Sequence, residues 1–123
     1  MVLEEEHKSQ YIGDIPQKVI DLFGISLPTR AVTIPPGAIK HVKSKRPKDF
    51  ELYFDQLKYV IENPDYIGMY RDSDKFEMIK LLDNHLLVGL SIHESRVVIS
   101  SFYRVTWVKV ETRLKRGRLK KVE

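Results

Sequence analysis

Apolar positions change rhythm along the chain after Pro64. Before that point they recur at helical spacing, and after it they come in short apolar or alternating runs. In "IPQKVIDLFG", Ile15, Val19, Leu22 and Phe23 share one helical face, with Asp14 placed to cap ahead of Pro16 and Gly24 to stop the helix. "RAVTIPP" predicts a brief strand ending at Pro35. A second helix is predicted from near Pro36 to Lys45, with Ile39 and Val42 inward, and Pro47 breaks it. "KDFELYFDQLKYVIENP" is the most strongly periodic segment: Asp49 can cap it, and Phe50, Phe54, Leu57 and Ile61 form a stripe. It must end by Asn63, because Pro64 follows.

The runs "YIGMYRD", "KFEMIKLLD", "HLLVGLSIHE" and "RVVISSFYRV" read as an antiparallel meander. "DSD" at 72–74, "DN" at 83–84 and "HES" at 93–95 supply its turns. The tail "TWVKVETRLKRGRLKKV" fits a strand weakly and a helix better, through Trp107, Val110 and Leu114. The expected fold is α+β: N-terminal helices on one face of a roughly four-stranded antiparallel sheet, two layers, with a basic C-terminal helix or tail. The other sheet face is expected to stay open. With no repeat or linker, residues 1–123 read as a single domain whose first ten residues are poorly ordered.

Composition narrows the class. At 42% hydrophobic and 31% charged, the chain reads as a soluble globular protein large enough for one core. It has no cysteine, which excludes disulfides and thiolate metal sites and fits a reducing cytoplasm. "MVLEEEHKSQ" has no apolar leader region, and no run approaches the roughly 20 apolar residues of a membrane span, so a cytoplasmic, non-membrane location is expected. Net charge is +4 but unevenly spread: residues 104–123 carry eight Lys and Arg against two Glu. A second basic island runs from Lys40 to Lys48. Two such islands fit a phosphate backbone as partner. Charge alone fits a solubilising surface equally well.

Cleaving RNA without a metal requires a base for the 2′-hydroxyl proton, cations for the phosphorane charge and an acid for the leaving oxygen. His41 lies in "AIKHVKSKRP", among Lys40, Lys43, Lys45 and Arg46, neighbours that favour a neutral imidazole. It is either a helix-boundary residue or a proton-transfer group facing a phosphate. His85 and His93 read as turn residues and His7 as incidental. No HxH or HExxH spacing is present, so no metal site is expected. In "KFEMIKLLD", Glu77, Ile79 and Leu81 fall on one strand face and Met78, Lys80 and Leu82 on the other. Lys80 is a phosphate contact or an ordinary surface lysine. Ser101 and Tyr103 share a face and could bind a phosphate and stack a base, or sit in an ordinary strand. "RLKRGRLKK" would bind nucleic acid in a salt-dependent way. There is no glycine-rich phosphate loop, GxSxG or close carboxylate pair.

Taken together, "IKHVKSKRP", "YFDQLKYVIENPDYIG", "FEMIKLLDNHLLVGL", "VVISSFYRV" and "VETRLKRGRLKKV" resemble the phage-associated branch of the barnase–EndoU–colicin–RelE-type nucleases. The likeness covers about 38–122 and leaves the first 35 residues outside; "ENPDYIG" through "IKLLD" and "RLKRGRLKK" are its most specific parts. It implies a toxin or phage-effector endoribonuclease without metal or cofactor. Such an enzyme cuts RNA (tRNA or mRNA) by 2′-hydroxyl transesterification to a 2′,3′-cyclic phosphate, with an antitoxin or immunity protein as partner. His41, Lys80, Ser101 and Arg113 would be catalytic. Lys43, Arg46, Tyr103, Lys115, Arg116 and Arg118 would bind substrate. Relatives carry a histidine where Arg46 precedes Pro47, and often threonine in place of Ser101. The second proton-transfer group is left to His85, His93 or a tyrosine. The alternatives are an RNA-binding module without chemistry and a protein-interaction module using "FELYFDQLKYVI".

Overall fold

Proline and glycine set the first element boundaries. In this computed structural model, which describes residues 9–24, 26–69 and 74–122, β1 (Gln10–Asp14) leads into α1 (Gln17–Phe23) through Pro16. Gly24 ends α1 in the left-handed region, at φ 62°, and its N–H donates to the Ile20 carbonyl. β2 (Ala31–Ile34) runs into Pro35 and Pro36, and Pro36 opens α2 (Pro36–Lys45). Pro47 opens α3 (Pro47–Tyr53), so the chain turns at Arg46 (φ −140°, ψ 63°). The N-terminal residues 1–8, His7 among them, and residues 72–73 of the "DSD" turn lie outside the described residues.

The segment expected as one long helix is two. α3 gives way to a 3₁₀ turn (Phe54–Gln56) before α4 (Leu57–Glu62). Across the turn Tyr53, Leu57, Val60 and Ile61 are buried, whereas Phe50 and Phe54 are half-buried and stack on each other at 4.8 Å. Asp49 is not a cap. It is buried and accepts from the Arg104 backbone N–H (3.3 Å) and Nε (2.5 Å), which ties α3 to the sheet.

The four expected strands do form a meander: β3 (Tyr66–Met69), β4 (Lys75–Leu81), β5 (His85–His93) and β6 (Arg96–Val105). The sheet around them is larger than expected. It has seven strands in the order β1-β2-β6-β5-β4-β3-β7, with β7 at Leu119–Lys121. It is also mixed, since β2 pairs parallel to β6. β1 ("QYIGD") and β7 ("LKK") escape the sequence pattern because neither alternates long enough to show it.

α2, α3 and α4 cover one sheet face, where Ala38, Val42, Leu57, Val60 and Ile61 pack on Phe76, Met78, Leu86, Val88, Ile99 and Phe102. The opposite face is not wholly open. α5 (Trp107–Lys115) crosses one end of it, and Val110 joins Ile79, Leu87, Val105 and Leu119 in a second cluster. Thr106 caps α5 by accepting from the Lys109 N–H. At the β4–β5 turn the Tyr53 hydroxyl donates to Asp83 Oδ1 (2.8 Å), which holds that carboxyl below its ordinary range. No helix among the described residues is long and apolar enough to cross a membrane.

Candidate active site

An irregularity in β6 aims the site. The β5–β6 register slips between Gly89 and Leu90: Leu90 pairs with Ile99, but Gly89 pairs with Ser101, so Ser100 is an extra residue. Its hydroxyl donates to the Gly89 carbonyl at 3.2 Å. One extra residue inverts the alternation of everything beyond it. Val97 and Ile99 point into the main core before the bulge; after it, Phe102 does, and Ser101 and Tyr103 turn to the α5 side. In an unbulged strand Ser101 and Tyr103 would face the hydrophobic core.

On that face Gly68, Glu77, Gly89 and Ser101 stand side by side across β3, β4, β5 and β6. A hollow of about 450 Å³ opens beside Glu77, lined by Lys75, Glu77, Leu87, Gly89, Ser101 and Tyr103 among others. At Gly68 a Cβ would lie 2.6 Å from Leu119 Cδ2 and 2.9 Å from the Arg118 carbonyl oxygen. α5 delivers Arg113, whose Nε donates to Glu77 Oε1 at 3.0 Å; the side chains are 19% and 4% exposed. From the α2–α3 elbow, the Arg46 guanidinium lies 4.4 Å from the centre of the Tyr103 ring. A cation on an aromatic face at this range is attractive and keeps Arg46 over the site.

Ser101, Tyr103 and Glu77 therefore line one hollow, with Arg113 bonded to Glu77 and Arg46 resting on Tyr103. Lys80, expected to join them, does not. Strand alternation puts it on the helix-covered face, where Nζ is 3.0 Å from Asp65 Oδ1 and 5.2 Å from the Tyr59 ring centre. His41 is exposed on α2, bonds to no described residue and does not line the hollow. Lys43 sits over Phe50 at 5.0 Å and lines a separate depression with Gln10, Pro36 and Ile39. Arg116 and Arg118 line a smaller hollow beside Arg113, and Lys115 leans toward Glu111 at 3.7 Å. His85 lies against Trp107, with ring centres 5.5 Å apart, and does not line the hollow. Glu77 is the functional candidate that sequence reasoning passed over; its signal was an acid inside the short run "FEMI", whose other residues are apolar. Among the described residues no group of three or more His, Asp or Glu could hold a metal ion.

With helices over a mixed sheet whose bulged strand presents a hydroxyl and an aromatic ring on the opposite face, the domain is of the α+β class. More narrowly, the chain belongs to the phage-Barnase-EndoU-ColicinE5/D-RelE like nuclease3 family, whose model matches residues 10–112. The match starts earlier than the resemblance implied, taking in β1, α1 and β2. It ends within α5, so Arg113 and the cations after it lie beyond it. Nothing among the curated proteins or the solved structures matches the chain.

Proposed function

We propose that this chain is an endoribonuclease that cuts RNA by internal attack of the 2′-hydroxyl and needs no metal. One observation carries the reading: Ser101, Tyr103 and Glu77 line a single hollow on the α5-side sheet face, and Arg113 bonds to Glu77. Tyr103, with Arg46 above it, stacks a base, and Ser101 hydrogen-bonds the phosphate. Arg113 stabilises the charge that develops on the phosphorane. Glu77, the carboxylate lining the hollow, accepts the 2′-hydroxyl proton as O2′ bonds to phosphorus. As the P–O5′ bond breaks, His41 donates a proton to the departing oxygen. His41 stands on α2, the helix that leads into Arg46, the residue that touches Tyr103. Lys80, paired with Asp65, takes no part. The products are a 2′,3′-cyclic phosphate and a 5′-hydroxyl. A toxin or phage-effector role in a cytoplasm, with an antitoxin or immunity protein as partner, belongs to the same proposal.

The test is purified protein with RNA in EDTA, alongside the same RNA carrying one 2′-deoxy sugar at the cut position. Cleavage of the first and not the second, with cyclic-phosphate ends, is expected; 3′-hydroxyl ends or cleavage at the deoxy position would refute it. A second reading, RNA binding without cleavage, is favoured by the position of His41 outside the hollow's lining. Salt-sensitive binding that leaves the RNA intact would select it.

A further inference from the structure

Arg113 lines a second hollow besides bonding Glu77. This one, about 290 Å³, lies against α5 and is walled by Lys109, Thr112, Arg113, Arg116 and Arg118. Its shape comes from the way α5 ends. Gly117 adopts φ 71°, its N–H donates to the Leu114 carbonyl (3.0 Å), and the Arg118 N–H donates to the Arg113 carbonyl (2.9 Å). These two bonds and a left-handed glycine make a Schellman motif, which folds the chain back on the last turn. Arg113, Arg116 and Arg118 thereby come around one space though they are spread along the chain.

Cations at a helix C-terminus have an ordinary explanation, since they offset the partial negative charge of the helix end. That explanation covers Lys115 equally well. Yet Lys115 leans on Glu111 and does not line the hollow, whereas Lys109, in the first turn of α5, does. Helix-end compensation therefore does not select the residues gathered here. The helix end by itself would repel an anion, and the Thr112 hydroxyl proton is committed to the Val108 carbonyl at 2.8 Å. Any anion in this hollow is held by the long cationic side chains.

We infer that this hollow is a second phosphate subsite, which holds the RNA phosphate next to the reacting one, with Arg113 as the wall between the two. The inference rests on the proposed reaction hollow for its substrate class, but binding here involves no chemistry. The subsite recognises backbone charge and ignores base identity, so it sets a minimum substrate length.

Its test uses a short, labelled 2′-deoxy oligonucleotide, which cannot be cleaved through a 2′-hydroxyl, with fluorescence anisotropy across a salt series. Lys109→Ala/Arg116→Ala changes two exposed side chains of the hollow, and Lys115→Ala is the charge control from the same helix end. Losing one single-strand phosphate contact should lower the slope of log affinity against log salt by about 0.7 and weaken binding about fivefold at 0.1 M salt. Lys115→Ala should leave both unchanged. Equal losses in the two variants, no loss in the double variant, or no binding by the unaltered protein would each overturn the subsite. Subsite-specific binding by a protein that leaves RNA intact would support the subsite while refuting the cleavage reading.

Discussion

Replacing Arg113 by alanine should destabilise the fold more than a surface position of α5 would. Its Nε lies 3.0 Å from Glu77 Oε1, and Glu77 is 4% exposed between Gly68 and Gly89. At an effective dielectric of 20, two charges at that distance attract by about 5 kcal/mol before desolvation is subtracted. The alanine variant leaves the Glu77 carboxylate buried without that partner. Breaking a buried pair costs about 3–5 kcal/mol, and the low end applies because the hollow admits water. A loss of about 3 kcal/mol should lower Tm by roughly 10 °C in a domain of this size. Glu77→Gln keeps the shape and an acceptor oxygen, so it should cost less. In Glu77→Gln/Arg113→Ala the buried charge is gone, so the double variant should recover about 1–3 kcal/mol relative to the sum of the single ones. Urea unfolding of all four proteins measures this. Single costs that add to within about 0.5 kcal/mol would show that the pair is not coupled and that Glu77 does not hold Arg113 in place.

His41→Ala should leave the Tm unchanged, because the side chain is exposed and bonds to no described residue, yet abolish cleavage of RNA in EDTA; undiminished cleavage would remove His41 from the mechanism. Tyr53→Phe removes the bond that holds the Asp83 carboxyl low. A depressed folded-state pKa stabilises above the unfolded value, near 4, and that contribution is lost as pH falls through the folded value. The Tm gap between the natural protein and Tyr53→Phe should therefore be constant near neutrality and shrink as pH falls below the unfolded value; a gap that does not shrink contradicts the assignment. Gly68→Ala puts a methyl 2.9 Å from the Arg118 carbonyl oxygen and 2.6 Å from Leu119, so β7 should detach. Hydrogen exchange should then speed up at residues 119–121 at a cost of roughly 1–3 kcal/mol; unchanged protection there would mean that the sheet edge adapts.

Much of the fold was legible from punctuation. Pro36, Pro47 and Gly24 bound helices where their chemistry demands it, and the turns at 83–84 and 94–95 separate strands of the meander. Less of the site was legible, for physical reasons. The alternation in "KFEMIKLLD" separates Glu77 from Lys80, but only the pairing of Glu77 with Gly89 and of Gly89 with Ser101 shows which of the two shares a face with Ser101. The bulge at Ser100 has no local sequence signature, yet it decides where Tyr103 points. Arg113 meets Glu77 across 36 residues of chain, and Arg46 reaches Tyr103 across an elbow that periodicity cannot describe. The split of the long helix leaves no mark in the periodicity, because Tyr53 and Leu57, four residues apart, would share a face in an unbroken helix too. β1 and β7 are too short to alternate, and the sheet recruits them by pairing alone.

The central claim is a location: substrate sits on the α5-side face of the sheet, beside the bulged strand. Backbone amide shifts on titrating a 2′-deoxy oligonucleotide, followed by NMR, would report that location directly. The largest shifts are expected at residues 75–77, 87–89, 101–103 and 113, with Lys80, Asp65 and Tyr59 unmoved. Shifts concentrated around Lys80 and α4, with residues 101–103 silent, would contradict it.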